Sequence, residues 1–190
     1  MTEAIPDFVF KRMYYLSPRD VRKNRADPVH IMMSCKAFSD HGLDVCLVAP
    51  RVWRKGWHVK LSEIWPLYNI EPNFRIKELP TFVVEGTLLD RTLRIQQICF
   101  AFLYFTWLAI SDWFRSNSQS ESLIYSKCYS TVVAPLLVRK FLRTKWFVAF
   151  EKPDFNKTKS LHRFVCRSVD AVVATTPAVV EGLQLSLIHI

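Results

Sequence analysis

Glycine is scarce in this chain, with four residues in 190 and none in the loop after the first predicted strand. A dinucleotide-binding turn needs a G-x-G-x-x-G run, because a Cβ there would hold the pyrophosphate away from the backbone. No such run is present, and neither is G-x-x-x-x-G-K-[ST], so the dinucleotide fingerprint and the P-loop are both excluded. An oxidoreductase using a nicotinamide cofactor is disfavoured on the same ground. The five cysteines form no C-x-x-C pair, and no H-E-x-x-H or paired-histidine spacing occurs, so no metal site is expected. The thiols read instead as buried, free groups of a reducing compartment. His30, His41, His58 and His162 are isolated and read as hydrogen-bonded structural residues. A G-x-S-x-G nucleophile elbow is missing. The N-terminus shows no charged stretch leading into an apolar one, so no secretory signal is expected. The longest apolar run, residues 98–110, falls short of the ~20 residues that span a bilayer. Internal repeats, low-complexity tracts and interdomain linkers are also missing.

What remains is a hydrophobic, basic chain. Half of its residues are hydrophobic, enough for a substantial single core. Lys and Arg number 26 against 17 Asp and Glu, a net charge of +9 that favours anionic partners: phosphates, nucleic acid or an anionic membrane face. Nucleic acid is the weakest of these. The aromatics sit mostly inside apolar runs, and no recognition-module signature occurs.

The order of the residues says more than their proportions. Residues 122–182 alternate strand and helix with few to spare: strand 122–126, helix 129–142, strand 145–150, helix 160–167, strand 169–175, then a helix opened by Pro177. The N-terminal part repeats the scheme. A strand over 8–16 stops at Ser17-Pro18, and a helix starts at Asp27-Pro28 with Asp as cap and Pro in the first turn. Gly42 stops that helix, and a second strand at 43–49 is closed by Pro50. Residues 51–73 read as irregular. A third strand spans 74–78 and is broken by Pro80. Residues 86–114 read as one long helix, with Arg94, Gln97, Tyr104, Ser111 and Arg115 marking a narrow polar strip. Two roles fit that helix: one packed on the sheet, and one with an extra apolar face that touches a membrane surface. Strands alternating with helices require crossovers, and crossovers make parallel sheets. The expected fold class is α/β, a single domain with a mainly parallel sheet of about six strands flanked by helices.

Open parallel sheets bind ligands outside the carboxyl ends of their strands. The loops expected there carry Arg19, Arg22, Lys23 and Arg25, then Arg51, Arg54, Lys55 and Lys60, then Lys127, then Lys152, Lys157 and Lys159. Converging on one edge, they would make a cationic crevice for a phosphate-bearing ligand, helped by helix N-termini. A second basic group, Arg139, Lys140, Arg143 and Lys145, falls at the opposite edge and complements a helix dipole. Glu151, Lys152 and Asp154 stand directly past a buried strand, where charges can orient a hydroxyl or act as a base. Ser17 and Tyr129 lie at comparable strand ends.

The helix before Gly42 followed by DVCLVAP at 44–50 resembles the opening of glycosyltransferase family 4. The segments LIYS at 123–126, WFVAFE at 146–151 and SVDAVVATTP at 168–177 resemble the later part of the same N-terminal domain. The resemblance implies a Rossmann-like acceptor-side domain over residues 1–184, one half of the two-domain GT-B arrangement. It implies sugar transfer from a nucleotide-sugar co-substrate to a glycan or lipid-linked acceptor, with no metal or other cofactor required, in polysaccharide biosynthesis. Donor-site glutamates would sit on a C-terminal domain that these residues do not include, and residues 185–190 read as a non-native tail on a truncated frame. The sequence departs from the family at Ser17-Pro18-Arg19, where a glycine-containing loop is usual, and at Lys152, where many members carry His. The strand-end positions leave Ser17, Arg19, Arg22, Lys127, Tyr129, Glu151, Lys152 and Asp154 as candidates for binding an acceptor or a phosphate, and no catalytic residue is assigned. A cytoplasmic location is expected, peripheral on the inner membrane face. The alternative reading is a non-catalytic α/β module that binds phosphate-bearing ligands or an anionic membrane surface.

Overall fold

A computed structural model describes residues 10–22, 26–53, 60–84, 92–114, 122–152 and 160–174. In chain order these form β1 (Arg12–Leu16), α1 (Ala26–Asp40), β2 (Asp44–Trp53), α2 (Ile64–Tyr68), β3 (Arg75–Val84), α3 (Leu93–Phe114), β4 (Ser122–Ser126), α4 (Tyr129–Leu142), β5 (Phe147–Lys152), α5 (Ser160–Ser168) and β6 (Ala171–Ala174). The six strands make one sheet in the order β3-β2-β1-β4-β5-β6, and every neighbouring pair is parallel. This is a Rossmann-like α/β arrangement, with a change of winding direction between β1 and β4.

Side-chain alternation along the strands divides the interior into two cores. Met13, Tyr15, Val45 and Leu47 face α1 and α2, where they meet Ile31, Met32, Ile64 and Tyr68. Tyr14, Leu16, Cys46 and Val48 face the other side, together with Ala101 and Phe105 of α3, Val132 and Leu136 of α4, and Val165 of α5. Tyr15 pairs with Leu47 on one side and Tyr125 on the other, which puts β1 at the middle of the sheet.

Of the three prolines expected to end strands, Pro18 follows the end of β1 as expected, whereas Pro50 and Pro80 lie inside strands. β2 runs through Pro50 to Trp53, and β3 through Pro80 to Val84. The reason is lateral exposure. β1 ends at Leu16 opposite Val48, so beyond that point β2 has a single neighbour, and β3 is an edge strand throughout. A missing N–H is tolerated on such an open side. The stretch expected to be irregular holds a short 3₁₀ turn, Leu61–Glu63, and α2, whose five residues are too few to show a helical period. The remaining boundaries move by a few residues: the first strand starts at Arg12, and the strand expected at 145–150 is Phe147–Lys152. The long helix begins at Leu93, and residues 85–91 lie outside the described ones, as do 115–121 and 175–190.

α1 closes as its glycine implies. Gly42 adopts φ +88°, its N–H reaches Ser39 O at 2.9 Å, and Leu43 N reaches Phe38 O at 3.3 Å. No atom lies within 4 Å of where a Cβ would stand, so Gly42→Ala meets conformational strain and no clash. The expected result is a loss of about 1 kcal/mol, read from the urea midpoint.

α3 is turned over relative to a simple amphipathic reading. Two members of its polar strip point inward: Gln97 is buried and donates from Nε2 to Pro18 O at 3.1 Å, and half-buried Tyr104 lies under Lys77, with Nζ 5.9 Å from the ring centre. Among the described residues no helix is long and apolar enough to cross a membrane. The thiols are less uniformly buried than expected. Cys35 and Cys46 are in the cores, Cys128 and Cys166 are half-buried, and Cys99 is exposed because it lies on the outward side of α3.

Candidate functional site

Two loops part at the carboxyl edge between β1 and β4. The one after β1 leads toward α1 on one face, and the one after β4 enters α4 on the other. The gap between them is the ligand crevice of open α/β sheets.

On the α1 face of this gap, four side chains from three elements come together. Glu151, near the end of β5, is buried with 7% of its surface exposed. Its Oε1 lies 2.9 Å from Lys127 Nζ, and Tyr125 donates its phenolic O–H to Oε2. Lys127 also approaches the first turn of α1, with Nζ 3.2 Å from His30 Nε2. Ser34, one turn further along α1, stands 3.0 Å from His30 Nδ1. Strand alternation produces the convergence, since Tyr125 and Glu151 project from the same face of adjacent strands. Burial, reinforced by the hydrogen bond to Glu151, raises the Tyr125 pKa well above that of a free phenol. The phenol is therefore a fixed O–H donor to the carboxylate at neutral pH.

The α4 side of the edge is organised by hydroxyls. Ser126 Oγ donates to Leu16 O at 3.0 Å and lies 2.6 Å from Thr131 Oγ1, and Cys128 N donates to Ser126 Oγ at 3.1 Å. These bonds fix the turn that carries Lys127. Next to it, on the α3 face, lies a small pocket with room for about one water molecule, partly open to solvent and lined by Leu16, Ser17, Val48, Pro50, Gln97 and Thr131 among others.

The sequence-derived candidates separate into groups. Lys127 and Glu151 meet. Ser17 is buried and closes its own turn, donating to Arg19 O at 2.8 Å and accepting from Arg19 N at 3.0 Å. Arg19 is exposed, 3.7 Å from Asp27. Arg22 turns toward β3, with its guanidinium 2.5 Å from Glu78 Oε1 and 3.5 Å from Asp20. Tyr129 packs against the α3–α4 core. Lys152 closes β5 opposite Ala174. Its side chain and all of Asp154 lie outside the described residues, as do Lys23, Arg25, Arg54, Lys55, Lys157 and Lys159. The expected cationic crevice is thus partly neutralised, because Lys127 and Arg22 each face a carboxylate. Among the described residues no three His, Cys, Asp or Glu side chains group to hold a metal ion.

Tyr125 is one site residue that the sequence reading missed, and His30 is another. Its partner Lys127 is 97 residues away, so no local spacing could announce it. The available signal was its place in the first turn of a helix that follows β1. The opposite basic group also has a more specific role than dipole complement: Arg139 bonds to Asp170 and to Ser168 O at 2.6 Å, tying α4 to the end of α5. Compared with known protein families and with curated proteins, the chain matches none.

Proposed function

We propose that this chain is the acceptor-side half of a GT-B-type glycosyltransferase, acting on a nucleotide-sugar and a glycan or lipid-linked acceptor in the cytoplasm. The observation that carries the reading is the His30–Lys127–Glu151–Tyr125 group at the carboxyl edge beside the change of winding direction. In such a transfer the acceptor hydroxyl oxygen forms a bond to the anomeric carbon and gives up its proton. The bond from that carbon to the donor phosphate breaks, and the nucleoside diphosphate leaves with the electron pair. Glu151 is suited to orient the hydroxyl and receive the proton, since Tyr125 and Lys127 hold its carboxylate in one position. Lys127, a quarter exposed at the mouth, is suited to meet an acceptor's phosphate. The donor would be held by a second domain, so these residues alone are expected to bind acceptor without turnover.

Farnesyl diphosphate, a soluble stand-in for a lipid-linked acceptor, provides the test by titration calorimetry. Binding is expected, and Lys127→Ala should weaken it about 10-fold, the loss of one charge-assisted contact. Equal binding by the variant, or sugar transfer by these residues alone, would overturn the assignment. Diphosphate binding that no glycan accompanies in the complete enzyme would favour the non-catalytic phosphate-binding module instead.

A further inference from the structure

We propose that the outward side of α3 and the tip of α4 form one surface that docks on an anionic membrane. The first observation is a stripe along α3: Ile95, Cys99, Leu103, Trp107, Ile110 and Phe114. These positions recur every three or four residues, so they share one side of the helix. The side extends about 28 Å at the ~1.5 Å rise of an α-helix. All six are exposed, Trp107 by 59% and Phe114 by 74%, and none is charged. The opposite side already supplies Ala101, Phe105 and Leu108 to the core. The stripe is therefore apolar surface beyond what the fold requires.

The second observation is independent and lies on another element. α4 ends with Phe141 and Leu142, which are 71% and 46% exposed. Exposed Lys140, Arg143 and Lys145 surround them, and no acidic residue occurs between 139 and 145. Both helices start at the carboxyl edge of a parallel sheet and return to the amino edge, and they pack side by side on the same face. The α4 tip therefore lies at the same edge as the Trp107–Phe114 end of the stripe. The result is an apolar patch with a cationic border.

Charge selects the occupant. A second copy meeting this patch about a two-fold axis would bring its own Lys140, Arg143 and Lys145 against these, an unfavourable juxtaposition. An anionic bilayer offers headgroup charge to the border and acyl chains to Phe141, Leu142 and the stripe. Trp107, stacked on Tyr104, suits the boundary between the two. The helix would lie in the plane of the surface and not cross it. The inference does not depend on the transferase reading, and diphosphate binding at Lys127 would survive its failure.

Co-sedimentation with phosphatidylcholine–phosphatidylglycerol vesicles, against pure phosphatidylcholine vesicles, is the test. The protein is expected to sediment with the anionic vesicles and to be released by high salt. Lys140→Glu with Arg143→Glu should weaken binding at least about 20-fold, from the contribution of each basic side chain near an anionic surface. Leu103→Ser with Trp107→Ser should weaken it comparably. All four positions are exposed, and unchanged thermal unfolding by circular dichroism will show that the variants fold. Three results would overturn the proposal: no sedimentation with anionic vesicles, equal sedimentation by either variant pair, or a dimer in light scattering that the Leu103 and Trp107 changes dissociate.

Discussion

Lys127→Met is expected to lower stability by about 2–3 kcal/mol, more than Glu151→Gln, although both remove one half of the same ion pair. The asymmetry follows from burial. Glu151 is almost fully enclosed, whereas a quarter of the Lys127 side chain reaches solvent. Without Lys127 the carboxylate keeps Tyr125 as a donor but loses its countercharge, and a buried uncompensated charge is costly. In Glu151→Gln the lysine can hydrate, and the amide oxygen that replaces the carboxylate can still accept from Tyr125, so the loss there should be about 1 kcal/mol. The double variant Lys127→Met with Glu151→Gln should be more stable than Lys127→Met alone, since a neutral amide that still accepts from Tyr125 replaces the uncompensated carboxylate. Guanidinium midpoints of the parent, the two single variants and the double variant would check this ordering. Equal losses in Lys127→Met and Glu151→Gln would contradict the burial argument.

Phe105→Ala should cost about 3–5 kcal/mol, a large part of the total stability of a domain this size. Phe105 is fully buried and is the contact point of three rings: Tyr14 on β1 at 6.0 Å, Trp146 before β5 at 5.6 Å, and Tyr104 on its own helix at 5.5 Å. Removing it leaves a cavity between the long crossover helix and the centre of the sheet, where strands paired on both sides cannot easily collapse. Leu103→Ala, two residues away on the exposed side, should change the urea midpoint by no more than about 0.5 kcal/mol equivalent. Similar losses at the two positions would mean that α3 is rotated about its axis, with Leu103 turned inward.

Much of the fold was legible from local pattern, because alternating strand and helix segments leave a parallel sheet few other options. The exceptions have lateral causes. Pro50 and Pro80 look like strand breakers until their neighbours are known, and the neighbour that matters is β1, which stops at Leu16. The orientation of α3 was hidden for a different reason. Its sequence is apolar on nearly every side, so the few polar residues suggested a stripe but not its direction, and only the bond from Gln97 to Pro18 O gives that. At the site, Glu151 and Lys127 could be nominated because strand ends are visible in sequence. Their pairing, and the approach of His30, depend on which strands lie side by side. Tyr125 was read only as part of a strand, yet the alternation of side chains turns it to the carboxylate.

The overhang of β2 and β3 has a directional consequence. β2 continues five residues past Val48, the partner of Leu16, and β3 accompanies it to Val84. At ~3.3 Å per residue this raises a parapet about 17 Å high along one flank of the crevice. β4 ends level with β1, and β5 continues to Lys152, two residues past Phe150, the partner of Ser126, so these strands overhang less. An elongated molecule lying across the carboxyl edge would meet the β2–β3 wall with one end. Such a wall would measure a ligand by length as well as by charge.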